Sequence, residues 1–257
     1  MRRATKRHVG ILFSALLALG LLAHFVAVKP DSFSKEGAAA IAGVASSARA
    51  EKARCPDLSD ASIFDNLLHL IDRTYGLPSE YVPSTLIDLS VHVRTNGTIC
   101  LREVAAESLV SMFRAAEAKG VHLGVTSGFR TAARQKTLFH FWLSVEGADA
   151  PEEIAEPGHS EHQLGTAVDL TGKSIGYASV DPRFGDSKEG VWLRENSSRY
   201  GFVMSYPKGK KVESEYNYEP WHFRYVGPFA ATEIVSAGAT PRTFLRKQYL
   251  YEQTIGR

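Results

Sequence analysis

The chain has 257 residues, of which 44% are hydrophobic and 23% charged, and this composition excludes a fibrous or disordered protein. Its formal net charge of +2 depends on the first thirty residues, which carry five cations and no acidic residue. The remaining 25 basic and 28 acidic side chains leave a slightly acidic domain, so we expect no nucleic-acid partner. The length accommodates one domain of about 150 to 200 residues plus extensions.

The N-terminal segment predicts export. Residues 9–28 are almost wholly apolar and follow four cations. As a helix they would span a hydrocarbon core of ~30 Å, whereas a cleavable signal has a shorter apolar stretch of about 7–15 residues. We therefore expect residues 1–30 to anchor the chain in the membrane, with the rest outside the cytoplasm; cleavage and secretion is the alternative. Residues 31–58 are predicted to form a tether and residues 59–257 the folded domain.

Two cysteines, Cys55 and Cys100, lie on the exported side of this segment. An oxidising compartment permits disulfides, so we expect one intramolecular bridge between them. The alternative is two free thiols, because the sequence does not contain the geometry that a bridge requires.

Periodic patterns predict a mixture of helices and strands. Apolar spacing predicts a helix at residues 62–75, which would start the domain, and a longer helix at residues 102–119. Further segments follow in chain order: a strand at 121–126, a helix at 131–144, a strand at 167–170, a helix at 190–200 that ends before residues 201–204, and a strand at 221–226. This order predicts an α+β fold with helices packed on a small sheet.

One polar cluster, residues 157–169, places His162 and Asp169 seven positions apart. On one helix these side chains would be about 10.5 Å apart along the axis, and on one flat strand they would face opposite sides. Neither arrangement lets both side chains reach a metal ion at ~2 Å. Gly165 offers a bend that can place His162 on a turn and Asp169 on the strand that follows.

A second cluster lies at residues 218–225. Pro220 keeps Glu219 out of the helical region, which excludes a helical HExxH site. His222 can supply a third ligand while Glu219 acts as a base, and three protein ligands plus one water are the pattern of a catalytic zinc site. The alternative is a structural or surface role for each histidine.

Together these segments resemble a known family. Ser-x-His-x-x-Gly-x-Ala-x-Asp at 160–169 and Glu-x-Trp-His-x-Arg at 219–224 are similar to motifs of the VanY-type D-alanyl-D-alanine carboxypeptidases, zinc D,D-peptidases related to VanX and Hedgehog-like folds. Ser-Gly-Phe-Arg at 127–130 is similar to the family's Ser-Gly-Tyr-Arg segment, and residues 200–207 match the region before its catalytic glutamate. The resemblance covers roughly residues 75–230.

The resemblance implies helices around a small, mainly antiparallel sheet, with one Zn²⁺ ion bound by His162, Asp169 and His222. It also implies that Glu219 is the general base and acid, and that Arg130 stabilises the oxyanion.

For the substrate, the resemblance implies that Gln135, Ser160 and Tyr206 hold the peptide. Phe129 departs from the tyrosine of the family motif and removes a hydroxyl beside Arg130, which leaves the hydrogen bonding there open.

The implied reaction is hydrolysis of the terminal D-Ala of peptidoglycan stem peptides. L,D-carboxypeptidases and peptidoglycan endopeptidases share the zinc chemistry, and nothing in the sequence separates them. A non-catalytic zinc-fold module that binds the cell wall is the alternative from another class, and retention of both Glu219 and Arg130 speaks against it. The sequence gives no indication of the oligomeric state.

Overall fold

The computed structural model describes Cys55 and residues 66–89, 91–93, 97–147 and 154–255. All of them belong to one compact unit, Lys52–Arg257. The predicted anchor lies outside the described residues, as does the predicted tether apart from Cys55. Within the described residues, no helix is both long and apolar enough to cross a membrane.

Helices and strands are mixed along the chain, which confirms the predicted α+β class. The strands are β1 (Leu86–Asp88), β2 (Cys100–Arg102), β3 (Leu123–Ser127), β4 (Ala167–Gly172), β5 (Phe202–Met204) and β6 (His222–Tyr225). The α-helices are α1 (Glu103–Glu117), α2 (Ala132–Glu146), α3 (Lys188–Asn196), α4 (Lys211–Ser214), α5 (Pro228–Ser236) and α6 (Pro241–Ile255). Each helix and strand predicted between residues 102 and 226 is present, with ends shifted by a few residues.

Strands β3, β4, β6 and β5 form an antiparallel sheet in that order, and β1 pairs separately with β2. Side chains alternate between the two faces of a strand. The cross-strand partners Val168 and Phe223 therefore share one face, which belongs to the main core. Their neighbours Asp169 and His222, also cross-strand partners, share the opposite face. The sheet thus separates an apolar face from a face that carries polar side chains.

The main core fixes this sheet against α1. Leu109 and Met112 of α1 are fully buried in the same cluster as Val125, Leu170 and Phe223 of the sheet. Complete burial of one such side chain contributes roughly 1.5–3 kcal/mol, so the apolar face holds the strands in a fixed register. The opposite face can then carry polar groups without loss of the fold.

The helix predicted to start the domain is wrong for its described part: residues 66–75 form turns and bends. A helix would use its backbone groups internally, but here the carbonyl oxygens of Leu67 and His69 accept hydrogen bonds from Arg224 at 3.2 and 2.6 Å. The Asp72 carboxylate accepts hydrogen bonds from two backbone N–H groups that follow it. The apolar spacing indicated burial correctly, but the backbone groups bond partly to a distant arginine and partly to the nearby side chain of Asp72 instead of forming a helix.

Cys55 and Cys100 form a disulfide with their Cα atoms 5.7 Å apart, which confirms the predicted bridge. Cys100 begins β2, and its carbonyl oxygen accepts a hydrogen bond from the N–H of Phe129 at 2.8 Å. The bridge therefore ties residue 55 to a strand that supports the Ser-Gly-Phe-Arg segment.

We expect the double substitution Cys55→Ser and Cys100→Ser to lower the free energy of unfolding by ~2–4 kcal/mol, because a native bridge restricts the unfolded chain. Denaturant unfolding of the exported, unreduced protein measures this loss. Titration of two free thiols in the folded, unreduced wild-type protein would contradict the bridge itself.

Candidate active site

The structure brings together the three residues that the sequence predicts as metal ligands. His162, Asp169 and His222 each offer one ligand atom, and these atoms all lie within 4.8 Å of one another. All three residues are buried. His162 lies in a 3-10 helix (Glu161–Leu164), while Asp169 and His222 lie on adjacent strands β4 and β6.

Gly165 forms the turn that makes this arrangement possible, as its position in the sequence predicts. Its φ of +73° lies in the left-handed region, where residues with a Cβ are strained. A Cβ atom there would also lie 2.9 Å from Pro83 Cγ. The chain reverses at this residue, so that His162 Nε2 comes within 3.3 Å of Asp169 Oδ2.

A backbone carbonyl group orients the ring of His162 through the nitrogen that does not face Asp169. Its Nδ1 donates a hydrogen bond to the oxygen of Gly128 at 2.7 Å, which leaves Nε2 to face Asp169. Gly128 cannot readily carry a side chain, because a Cβ atom would lie 2.6 Å from Ile99 and 2.7 Å from the carbonyl oxygen of Cys100. The glycine of the Ser-Gly-Phe-Arg motif thus lets β2 approach the site.

The ring of His222 is oriented by a side chain instead. Its Nε2 contacts Glu161 Oε2 at 3.0 Å, and the Ser205 hydroxyl donates to the same oxygen at 2.6 Å. Arg224 donates to the other carboxylate oxygen, Oε1, at 2.9 Å. Burial acts to raise the pKa of Glu161, but Arg224 and His222 outweigh burial and lower it to about 2. The buried carboxylate is therefore ionised.

The group formed by His162, Asp169 and His222 has the chemistry of a metal site. Asp169 Oδ1 is buried and makes no hydrogen bond within the described part of the chain, although His222 Nδ1 is 3.3 Å away. Burial acts to raise the pKa of Asp169, but the two imidazoles lower it, so its carboxyl group is ionised. Two imidazole nitrogens and one carboxylate are a ligand set that zinc accepts, with a fourth position left for water.

Glu219 lies beside this group. Its Oε2 is 3.7 Å from His222 Nδ1, and 15% of its side chain is exposed. The backbone N–H of Glu219 donates a hydrogen bond to the carbonyl oxygen of Tyr206. The backbone N–H of His222 donates one to the carbonyl oxygen of Glu219. These two backbone bonds place the carboxylate at the edge of the site, where it can exchange protons with a bound molecule.

Arg130 also lies beside this group, and its NH2 atom is 3.9 Å from Asp169 Oδ2. Its guanidinium donates to Gln135 Oε1 at 2.8 Å and to the Ser127 hydroxyl at 3.0 Å. Burial lowers the pKa of Arg130 while Asp169 and Glu219 act in the opposite direction, and an arginine remains cationic under such shifts. The site therefore contains a fixed positive charge next to the metal ligands.

The three residues expected to hold the peptide differ in their placement. Gln135 is fully buried, and its amide group both accepts from Arg130 and donates to the carbonyl oxygen of Ala155 at 2.6 Å. Ser160 is buried directly before the 3-10 helix. The Tyr206 ring lies 4.8 Å from the His222 ring, and burial and Glu161 raise its pKa, so the phenol stays protonated at neutral pH. Peptide contact by these three residues stays a prediction.

Three residues that contact the site, Glu161, Ser205 and Ser127, were not predicted from the sequence. Glu161 directly precedes His162, so its position in the sequence indicated a carboxylate near the metal ligands. Ser127 belongs to the Ser-Gly-Phe-Arg motif, where a hydroxyl three residues before Arg130 is within reach of its guanidinium. Ser205 gave no signal in the sequence, because this residue, which follows β5, meets Glu161 only in the folded chain.

A known protein family matches the part of the chain that contains this site. The family model described as VanY, D-alanyl-D-alanine carboxypeptidase, matches residues 98–228. The chain is 38% identical to YodJ of Bacillus subtilis (strain 168) over 187 residues, which is 71% of this chain and 68% of that protein.

Solved structures agree in fold as well. The LdcB LD-carboxypeptidase has a TM-score of 0.68 at 38% identity, covering 71% of this chain and 87% of that chain. A vancomycin resistance D,D-pentapeptidase VanY, solved in complex with Zn(II), has a TM-score of 0.56 at 32% identity, covering 69% of this chain and 98% of that chain. These matches confirm the family predicted from the motifs: the chain belongs to the VanY D-alanyl-D-alanine carboxypeptidase family.

Proposed function

We propose that this chain, a zinc metallopeptidase, removes the terminal D-Ala from peptidoglycan stem peptides that end in D-Ala-D-Ala. The observation that carries the proposal is the convergence of His162, Asp169 and His222 beside Glu219. The description of the matching family model and the name of the VanY D,D-pentapeptidase support the D,D specificity.

Zinc is the metal that the site and the relatives support. His162, Asp169 and His222 would hold it, and the VanY neighbour was solved with Zn(II). When bound, zinc supplies Lewis acidity that polarises a carbonyl group and lowers the pKa of water toward ~7.

Glu219 then serves as the proton carrier. Its carboxylate lies at the edge of the site and is partly exposed, so it can accept a proton from the attacking water and return it to the amine of the leaving D-Ala. Its Oε2 lies 3.7 Å from His222 Nδ1, beside the group of three candidate ligands to which Glu219 does not belong.

Arg130 would stabilise the negative charge that develops on the attacked carbonyl oxygen. Gln135 and Ser127 hold its guanidinium in place, so little reorganisation is needed when that charge appears. The site is mostly buried, which strengthens this interaction relative to water.

An L,D-carboxypeptidase is the second candidate, because the LdcB LD-carboxypeptidase has 38% identity and a TM-score of 0.68. Such an enzyme would remove D-Ala from a stem peptide that ends in a single D-Ala attached to an L-centre. The same four residues, His162, Asp169, His222 and Glu219, would carry the chemistry in both cases. The two activities therefore differ in how the peptide is held.

We further propose that the peptidase domain acts outside the cytoplasmic membrane, where its substrate lies. The apolar residues 9–28, preceded by four cations, and the disulfide at Cys55 and Cys100 support this location.

Cell fractionation tests the location. We expect the full chain in the membrane fraction and sensitive to protease added from outside, whereas residues 52–257 alone should leave that fraction. Recovery of the full chain from the cytoplasm would contradict the proposal, and a shortened chain in the medium would show signal cleavage.

For the metal, we expect one zinc ion per chain in the purified protein, measured by elemental analysis. His162→Ala should lose most of this zinc, because one of three ligands is removed. His140→Ala, an exposed histidine of α2, is the matched control and should keep it. Zinc retained equally in both variants would contradict the ligand assignment.

For the reaction, we expect the wild-type protein to convert a pentapeptide ending in D-Ala-D-Ala to a tetrapeptide. Mass spectrometry of defined muropeptides measures this conversion. Glu219→Gln should keep its zinc, and its turnover should fall. General acid–base catalysis contributes about 10²–10⁴-fold, and we expect a loss at or above the top of this range because one carboxylate serves both proton transfers. Arg130→Ala should also be slower, with the loss divided between kcat and KM.

The matched control is Glu233→Gln, which alters an exposed carboxylate of α5 and should leave turnover unchanged. Loss of D-Ala only from a tetrapeptide would select the L,D activity, and cleavage of a cross-linked dimer would select an endopeptidase. If Glu219→Gln keeps more than about a tenth of the wild-type rate with zinc bound, Glu219 is not the base.

A further inference from the structure

Glu161 is the most enclosed carboxylate near the metal ligands that the proposed reaction does not use. It is only 4% exposed, and both of its oxygens are engaged. Oε2 accepts from Ser205 and contacts Nε2 of His222, while Oε1 accepts from Arg224. Removing a carboxylate from water is costly. The three short contacts, one of them with the cationic Arg224, offset that cost.

These contacts determine which nitrogen of His222 is available. A carboxylate paired with Arg224 can only accept a hydrogen bond, so when a metal ion holds the imidazole in its neutral form the proton lies on Nε2, 3.0 Å from Glu161. The lone pair is then on Nδ1. That is the atom 3.3 Å from Asp169 Oδ1 and 3.7 Å from Glu219 Oε2.

His162 has the opposite arrangement. Its Nδ1 donates to the carbonyl oxygen of Gly128, and Nε2 faces Asp169. The two ligating histidines therefore present different ring nitrogens, and each is fixed by an acceptor on its far side. A charged acceptor raises the basicity of the imidazole and is widely used to orient metal-binding histidines.

We propose that Glu161 is a positioning residue of the metal centre, which holds His222 with its Nδ1 toward the metal and which is itself held by Arg224. This inference rests on the proposed zinc site. It identifies Glu161 as a residue on which the zinc affinity of that site depends. Arg224 lies two positions after His222 on β6, so the same face of one strand carries the ligand and the cation that holds its carboxylate partner.

Arg224 also extends this network to a distant segment. It is fully buried, and its NH2 atom donates to the carbonyl oxygens of Leu67 and His69. Those residues precede the part of the chain matched by the family model, residues 98–228. The carbonyl groups of Leu67 and His69 therefore contribute to the support of His222 without touching it.

The test compares zinc affinity in two variants that each neutralise a buried carboxylate paired with an arginine. Glu161→Gln keeps the shape of the side chain but replaces the anion beside His222. Asp72→Asn does the same at a carboxylate that is 2% exposed and pairs with Arg242 at 2.9 Å. Its other contacts are with Thr74, Tyr75 and Arg246, none of which is a ligand. Competition with a chelator measures zinc affinity, and circular dichroism verifies that each variant is folded.

We expect Glu161→Gln to bind zinc about 10–100-fold more weakly than the wild type, whereas Asp72→Asn keeps wild-type affinity even if its Tm falls. The visible absorption of the cobalt-substituted protein should change in Glu161→Gln alone, because it reports ligand geometry. Should Glu161→Gln fail to fold, Glu161→Asp retains the charge beside Arg224 but withdraws it from His222, and we expect a loss at the lower end of the same range.

Equal zinc affinity in the wild type and the folded Glu161 variant would overturn the positioning role while leaving the zinc peptidase proposal intact. An equal loss of affinity in Asp72→Asn would also overturn it, because the loss would then follow from stability alone. A wild-type chain that binds no zinc would instead contradict the proposed function itself.

Discussion

The pairing of Asp169 with His222 across β4 and β6 is the contact on which the rest of the site depends. Two strands that face each other with these residues in register provide two ligands at one point, without any contribution from a flexible loop. The apolar partners one position away, Val168 and Phe223, anchor the same register in the core. Packing on one face of the sheet therefore sets the distance between the ligands on the other, and His162 only has to be brought over them by the turn at Gly165.

Charge balance is the second constraint on this site. Three carboxylates, Glu161, Asp169 and Glu219, lie close to one another around His222, and such a group would repel itself in a buried environment. Arg224 offsets the first and Arg130 lies near the second. The carboxylates still exceed the arginines, so a divalent cation held by the ligands would be attracted to this site, as the zinc centre proposed for this chain requires.

The sequence was sufficient where local rules determine the outcome. A histidine and an aspartate seven positions apart, with a glycine between them, require a turn, and Gly165 provides it with a left-handed backbone. The segment 66–75 shows the opposite case, because its turns depend on Arg224, more than 150 residues later in the chain. The contacts of Glu161 were missed for the same reason, because its partners, Ser205 after β5 and Arg224 on β6, are brought to it only by the fold.

The register of the sheet has a consequence for how the chain reaches its native state. A slip of one residue between β4 and β6 would turn Val168 or Phe223 toward the polar face and send one ligand into the core. Such a misaligned sheet could not assemble the ligand set, so only the native alignment gains the free energy of metal binding. The ion would then stabilise the native strand alignment relative to competing alignments during folding, in addition to its part in the chemistry.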